Sequence, residues 1–273
     1  MNINNFFNID ERLMQLDEKI LAEISPRFKE TDDITEYNQL KILSAFIKNG
    51  VTESAFAGST GYGYDDRGRE ILERVMADAM GAEDSLIRHN FVSGTHTLTV
   101  ALFGLLRPGD KVLVLTGRPY DTITGVFGID EKTDGSLADF GVEYHEIALL
   151  PDGTPDKASI KKELAANTYK MAYIQRSRGY STRPSLTIEK IRELCDIVRE
   201  ASPKSIIMVD NCYGEFTEKQ EPCEVGADII AGSLIKNPGG GIAPTGGYIA
   251  GRHELIEKCA YRLTCPGVGR EAG

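Results

Sequence analysis

The sequence predicts an α/β fold, a mostly parallel seven-stranded sheet flanked by helices and preceded by a helical N-terminal segment. Three observations carry this prediction. From residue 85 onward, short continuous runs of Val, Ile and Leu alternate with amphipathic stretches, the pattern of strands covered on both faces. Before residue 85, apolar residues recur at helical spacing instead. Finally, a chain of 273 residues that is 41% apolar can bury a large core, which excludes intrinsic disorder.

In chain order, residues 10–48 read as two helices. Asp10 caps the first, and Leu13, Leu16, Ile20, Leu21 and Ile24 keep one face up to Pro26. Thr35 caps the second, with Leu40, Leu43, Ala45, Phe46 and Ile47 ahead of Gly50. A loop rich in Gly, Ser, Thr and Tyr closes this segment (1–68), and the large domain spans 69–273. A helix over 69–80 carries Ile71, Leu72, Val75 and Met76 on one side. Strands are expected at 85–88, 111–115, 142–147, 171–175, 206–209, 229–232 and 247–250. Helices are expected at 95–106, 156–166, 187–201 and 253–263. Helical crossovers of this kind are right-handed, and ligands gather at the carboxyl ends of the strands. The sequence stops at TCPGVGREAG with no capping element, so the expectation is a loose tail or a chain cut short of a further domain.

Several function classes are disfavoured. A net charge of −10 argues against nucleic acid or an anionic membrane as partner. No apolar run approaches ~18 residues, and the N-terminus has no signal segment, so the expected location is the cytosol. Cys195, Cys212, Cys223, Cys259 and Cys265 form no CxxC pair, which suits reduced thiols. His253-Glu254 lacks the second His of HExxH, and GYGYDDRG has the wrong glycine spacing for a dinucleotide fingerprint. Walker A and GxSxG motifs are absent, and no metal-ligand spacing stands out.

Four features sit where strands should end. VSGTHT (92–97) opens a helix with free N–H groups, an anion site or an ordinary cap. IIMVDNCYGEF (206–216) ends an apolar strand in Asp210, a functional carboxylate or a turn cap. DIIAGSLIKNPGGG (228–241) runs a strand into Ser233 and then Lys236, an amine nucleophile or a surface lysine. TGRPYDT (116–122) places Tyr120 just past a strand, to stack on a planar ligand or to anchor a loop. Together, in this order on a parallel sheet, they match what pyridoxal phosphate requires. Its phosphate needs N–H donors, its ring a face, its pyridine nitrogen an acid, and its aldehyde a lysine.

The chain resembles the fold-type I pyridoxal-phosphate enzymes of cysteine and methionine metabolism, and among them the aluminium-resistance, methionine gamma-lyase-like branch. FAGSTGYGYDDRGRE, FVSGTHTL, GRPYDT, VDNCYGEF and AGSLIKNPGGGIAPTGGYIAG carry the likeness. The resemblance implies that Lys236 holds pyridoxal 5'-phosphate as a Schiff base, Asp210 pairs with the ring nitrogen and Tyr120 stacks on the ring. Gly94 and Thr95 would hold the phosphate through their N–H groups, helped by Ser233. Tyr64 and Arg67, with Tyr62 as an alternative, would reach the neighbouring subunit's phosphate, which implies a homodimer, usually paired into a homotetramer. Relatives carry a C-terminal small domain that holds the arginine for the substrate carboxylate, and this chain ends before it. IQRSRGYSTRP places Arg176 and Arg178 where relatives have an asparagine facing the ring, so one of them is expected to meet the cofactor or a substrate carboxylate.

The implied function is a cytosolic carbon-sulfur lyase acting on a sulfur-containing amino acid, with Lys236 as the base at Cα. Elimination at the β or γ carbon would release a thiol, a 2-oxo acid and ammonia. The alternatives are another reaction of the same cofactor (aldol cleavage, transamination or γ-replacement) or a cofactor-binding protein without catalysis.

Overall fold

The computed structural model describes residues 6–59, 64–131 and 133–272. Its strands are β1 (Asp84–Arg88), β2 (Lys111–Val114), β3 (Glu143–Glu146), β4 (Met171–Gln175), β5 (Ile206–Asp210), β6 (Ile229–Ser233) and β7 (Gly247–Gly251). They form one sheet in the order β1-β7-β6-β5-β4-β2-β3. β2 pairs in parallel with β3 and β4, β4 with β5, and β5 with β6. β7 alone runs the other way, inserted between β1 and β6 and antiparallel to both. All seven expected strands are present, each within a residue or two of its expected ends.

Strict alternation along the strands explains the two-sided burial. Leu86, Val112, Val114, Tyr173, Met208, Ala231 and Ile249 face one core. Ile87, Leu113, Ala172, Ile174, Val209, Ile230, Tyr248 and Ala250 face the other. The first core is closed by α3 (Gly94–Leu105), α4 (Asp121–Phe127) and α7 (His253–Leu263). The second is closed by α2 (Arg67–Met80), α5 (Lys157–Ala166) and α6 (Ile188–Ala201). The seven-residue α4 was not expected from sequence, because it is too short to show a helical period.

The two expected N-terminal helices are one. α1 runs unbroken from Glu11 to Lys48 with Pro26 inside it. Proline removes one N–H and crowds the carbonyl four residues back, here that of Ala22. Both sites are exposed, so water can satisfy the freed carbonyl. Thr35 caps nothing; its hydroxyl donates to the Thr31 carbonyl within the helix. Only the second half of α1 is docked, through Ala45 against Ile71 and Val75. Asn38 anchors it further, donating to the carbonyls of Phe216 and Glu218 at 3.1 and 3.0 Å. The first half leaves Leu13, Leu16, Ile20, Leu21, Ile24 and Phe28 exposed.

Beside β1, Arg88 and Glu73 form an ion pair with side chains 2% and 7% exposed. Arg270 adds a second cation at 3.2 Å from Glu73 and also pairs with Asp84 at 2.7 Å and Glu257 at 3.2 Å. Among the described residues, Asp84, His253 and Glu257 are the one group whose ligand atoms lie close enough to share a metal. The Arg270 guanidinium already stands at two of those three carboxylate and imidazole ligands, so the local charge is met by the protein itself. Removing Arg88 leaves the buried Glu73 with Arg270 as its remaining cation. Arg88→Met is therefore expected to cost less than the ~3–5 kcal/mol of a fully stranded partner, read as a lower urea midpoint, and adding Glu73→Leu should recover part of the loss.

Candidate active site

A cavity of about 510 Å³ opens at the carboxyl ends of the strands. It is lined by Gly94, Thr95, Tyr120, Asp210, Ser233 and Lys236 together with Arg178, Tyr180, Cys212 and Tyr213. Six residues singled out along the sequence are thus brought to one place by the parallel strand order.

One end of the cavity is an anion cradle. Ser93 caps α3, its Oγ accepting from His96 N at 3.1 Å. That leaves the first N–H groups of the helix, on Gly94 and Thr95, without intrahelical acceptors. Ser233 Oγ is buried against the same turn and has no hydrogen-bond partner. A Cβ on Gly94 would lie 3.0 Å from Ser233 Cβ, so glycine keeps the cradle open. Two N–H donors and an orphaned buried hydroxyl are the donor set that a phosphate satisfies.

At the centre, β5 delivers Asp210, 4% exposed. Its carboxylate accepts from Cys212 N at 3.1 Å and from Tyr173 Oη at 3.5 Å. Burial pushes the carboxyl above the usual range, while Cys212, Tyr173 and the Arg183 guanidinium pull it down and only partly compensate. Such a carboxylate is held as an anion when a cation sits against it. A protonated pyridine nitrogen supplies that cation, so Asp210 and the cradle both fit pyridoxal 5'-phosphate.

Lys236 follows β6 in a turn closed by its own N–H to Ser233 O. Its Nζ donates to Tyr213 Oη at 2.5 Å and lies 4.4 Å from the centre of that ring. On the opposite wall, Gln175 Oε1 accepts from the backbone N–H of Tyr120 at 2.7 Å, fixing where the ring stands. The Tyr120 ring lies 5.5 Å from that of Tyr180, and its hydroxyl donates to the Tyr180 hydroxyl at 3.3 Å.

The other named residues fall elsewhere. Tyr64 and Arg67 are exposed near the start of α2 and do not line this cavity, while Tyr62 lies outside the described residues. Arg176, one of two arginines expected to meet a ligand, turns into the protein. It donates to Asn211 Oδ1 and Glu218 Oε1, both at 2.9 Å, with Glu221 at 3.6 Å. Arg178 is the one that lines the cavity. Sequence reading missed Tyr180, Tyr213 and Arg183. All three sat inside quoted segments, but nothing in residue spacing says which way a loop side chain points.

Beneath the site, Glu215 accepts from Tyr248 Oη at 2.9 Å while its other oxygen has no partner. Burial pushes this carboxyl up to about 8.

A family model for methionine gamma-lyase matches residues 13–273. YnbB of Bacillus subtilis, a protein of uncharacterised function, is 48% identical over 256 residues, 93% of this chain and 61% of YnbB. A solved structure from Listeria innocua, named as a candidate cystathionine beta-lyase involved in aluminium resistance, is 54% identical with a TM-score of 0.93, covering 97% of this chain and 64% of that one. A carbon-sulfur lyase involved in aluminium resistance from Clostridium novyi is 48% identical, TM-score 0.93, covering 99% and 65%. The chain therefore spans somewhat under two thirds of the length of these relatives. Among the described residues, no helix is long and apolar enough to cross a membrane.

Gly94→Ala should weaken the binding of pyridoxal 5'-phosphate about tenfold or more, measured by titration, because the new methyl enters the cradle and crowds a buried donor. Glu215 yields a pH signature. Its folded value of about 8 lies above the ordinary ~4.3 of an unfolded glutamate. The stability it contributes is full below the unfolded value and lost as pH rises through the folded one. Glu215→Gln should flatten the fall in melting temperature between pH 5 and pH 8 relative to the parent protein; parallel profiles would show that Glu215 does not titrate there.

Proposed function

The chain belongs to the methionine gamma-lyase family, and from that premise we propose that it binds pyridoxal 5'-phosphate and eliminates a thiol from a sulfur-containing amino acid. The products are a 2-oxo acid and ammonia. The observation that carries this reading is the orphaned Ser233 hydroxyl facing the α3 N-terminus in the same cavity as Asp210 and Lys236.

When bound, the cofactor supplies an electron sink for the charge that develops at the substrate Cα. The chain's own residues do the rest. Gly94 and Thr95 N–H groups and Ser233 Oγ would hold the phosphate, Asp210 would keep the ring nitrogen protonated, and Tyr120 would stack on the ring. Lys236 would hold the cofactor through Nζ, and it is the side chain placed to take the Cα proton as general base. Arg178 has no ion-pair partner among the described residues, and from the cavity wall it is the side chain suited to a substrate carboxylate.

The working unit is a homodimer, or a tetramer built from it, located in the cytoplasm. Two features support self-association. Tyr64 and Arg67 are exposed and lie outside the cavity of their own chain, where a second copy can reach them. The first half of α1 also presents a stripe of six exposed apolar residues, a surface of the kind that partners cover.

The test is spectroscopic and chemical together. Added pyridoxal 5'-phosphate should produce a visible absorption band that shifts on borohydride reduction, with the adduct on Lys236 by mass spectrometry. Thiol should then be released from L-methionine or L-cystathionine. Lys236→Ala should abolish both signals. A band without thiol would restrict the function to cofactor binding or another reaction of that cofactor, and unchanged turnover in Lys236→Ala would overturn the assignment.

A further inference from the structure

Three non-glycine residues among those described have positive φ, and two of them, Tyr213 (67°) and Phe216 (61°), lie in the short loop after β5. A bulky aromatic in the left-handed region is strained and persists only where its surroundings over-determine it. Here they do. Glu221 Oε1 accepts from Phe216 N at 2.8 Å, and Asn38 donates to Phe216 O at 3.1 Å. Arg176 packs so closely under Gly214 that a Cβ there would stand 2.3 Å from its Cδ. Asn237, next to Lys236, donates to Glu215 O at 2.9 Å and ties this loop to the lysine's own turn.

What the strain achieves is not burial, since Tyr213 remains 59% exposed. It sets the Tyr213 hydroxyl against Lys236 Nζ, at 2.5 Å, and that is the one hydrogen bond Nζ makes among the described residues. We propose that the Tyr213 hydroxyl serves the condensation of Lys236 with an aldehyde, relaying a proton from Nζ to the departing carbonyl oxygen. The inference rests on the reading of Lys236 as the cofactor-bearing amine.

The chemistry balances without any further reagent. Joining a primary amine to an aldehyde forms a carbon–nitrogen double bond and expels water. The nitrogen loses two protons and the oxygen gains two. Tyr213 makes the exchange twice, once as the nitrogen adds and once as the oxygen leaves, each time giving its hydroxyl proton to the oxygen and taking an Nζ proton in its place, so the phenol ends as it began. Run backwards, with water adding to the carbon–nitrogen double bond, the same relay frees Lys236. A positioned acid–base group of this kind accelerates such transfers by about a hundredfold or more.

Stopped-flow absorbance on cofactor-free protein tests this. Tyr213→Phe keeps the ring and removes only the hydroxyl. Pyridoxal 5'-phosphate should attach to Lys236 about a hundredfold more slowly in this variant, with the final absorbance unchanged. Imidazole, which forms no imine with an aldehyde, should accelerate the variant in proportion to its concentration and leave the parent protein unaffected. Equal rates would overturn the proposal, and so would a slow variant that imidazole does not rescue, because that is the behaviour of a structural tyrosine. Tyr213→Gly relieves the backbone strain, so its denaturation midpoint should rise while attachment slows as in the Phe variant; a rate equal to the parent's would again overturn the relay. The same comparison with pyridoxal, which lacks the phosphate, followed by borohydride and mapping of Lys236, separates the two readings. Failure of the phosphorylated aldehyde alone to attach would count against the proposed cofactor, whereas the hydroxyl and imidazole effects on the pyridoxal reaction would still decide the role of Tyr213.

Discussion

Because both faces of the sheet inside its edge strand β3 are filled by alternating apolar side chains, the inner strands can offer polar groups only where they end. Leu113 and Ile230 face one core while Val112 and Ala231 face the other, which leaves no solvated face on which a site could form. The parallel order of β2, β4, β5 and β6 brings their carboxyl ends to one edge. Gln175, Asp210 and Ser233 are the last residues of β4, β5 and β6, and they stand side by side for that reason. The α3 N-terminus meets the same edge and contributes dipole and N–H groups where the strands contribute side chains.

Buried charge then shapes the loops beyond the edge. Arg176 leaves the end of β4 and is satisfied inside the protein by Asn211, Glu218 and Glu221. These partners all belong to the segment after β5, so one guanidinium draws that segment over the sheet and holds it there. Removing such a group would strand several acceptors in low dielectric, at a cost well above that of a surface ion pair. Asn38 of α1 grips the same segment from outside. The N-terminal helix is therefore part of the support of the site, although no residue of it lines the cavity.

The strands and large helices were legible in the sequence because their apolar periods are long and unambiguous, as in β4 and α7, whose ends agree with expectation to the residue. Gly94, Thr95, Tyr120, Asp210, Ser233 and Lys236 were legible because strand ends and turn glycines flag them. What stayed hidden follows from contacts that spacing does not encode. Pro26 reads as a helix stop, and only an exposed helix with a solvated carbonyl lets it pass. Arg176 and Arg178 are two residues apart and look equivalent, but glutamates some forty positions later decide that the first turns inward. Tyr213 stood in plain view within VDNCYGEF, and its orientation depends on a left-handed φ that no neighbouring residue type announces.

The antiparallel β7 has a consequence for how the chain reaches this state. Among the described residues β1 pairs with no strand but β7, with Asp84 opposite Gly251, so the first strand of the sheet is completed by the seventh. Loop closure over more than half the chain is slow compared with local pairing. On a ribosome, β1 must wait with an open edge until β7 has emerged. The intervening strands β2 to β6 can assemble on their own in that interval, and β7 then enters as a wedge that seals both open edges in one step. Closure of the sheet is accordingly limited by the arrival of β7, and an unsealed β1 is a point at which a nascent chain is exposed to pairing with another.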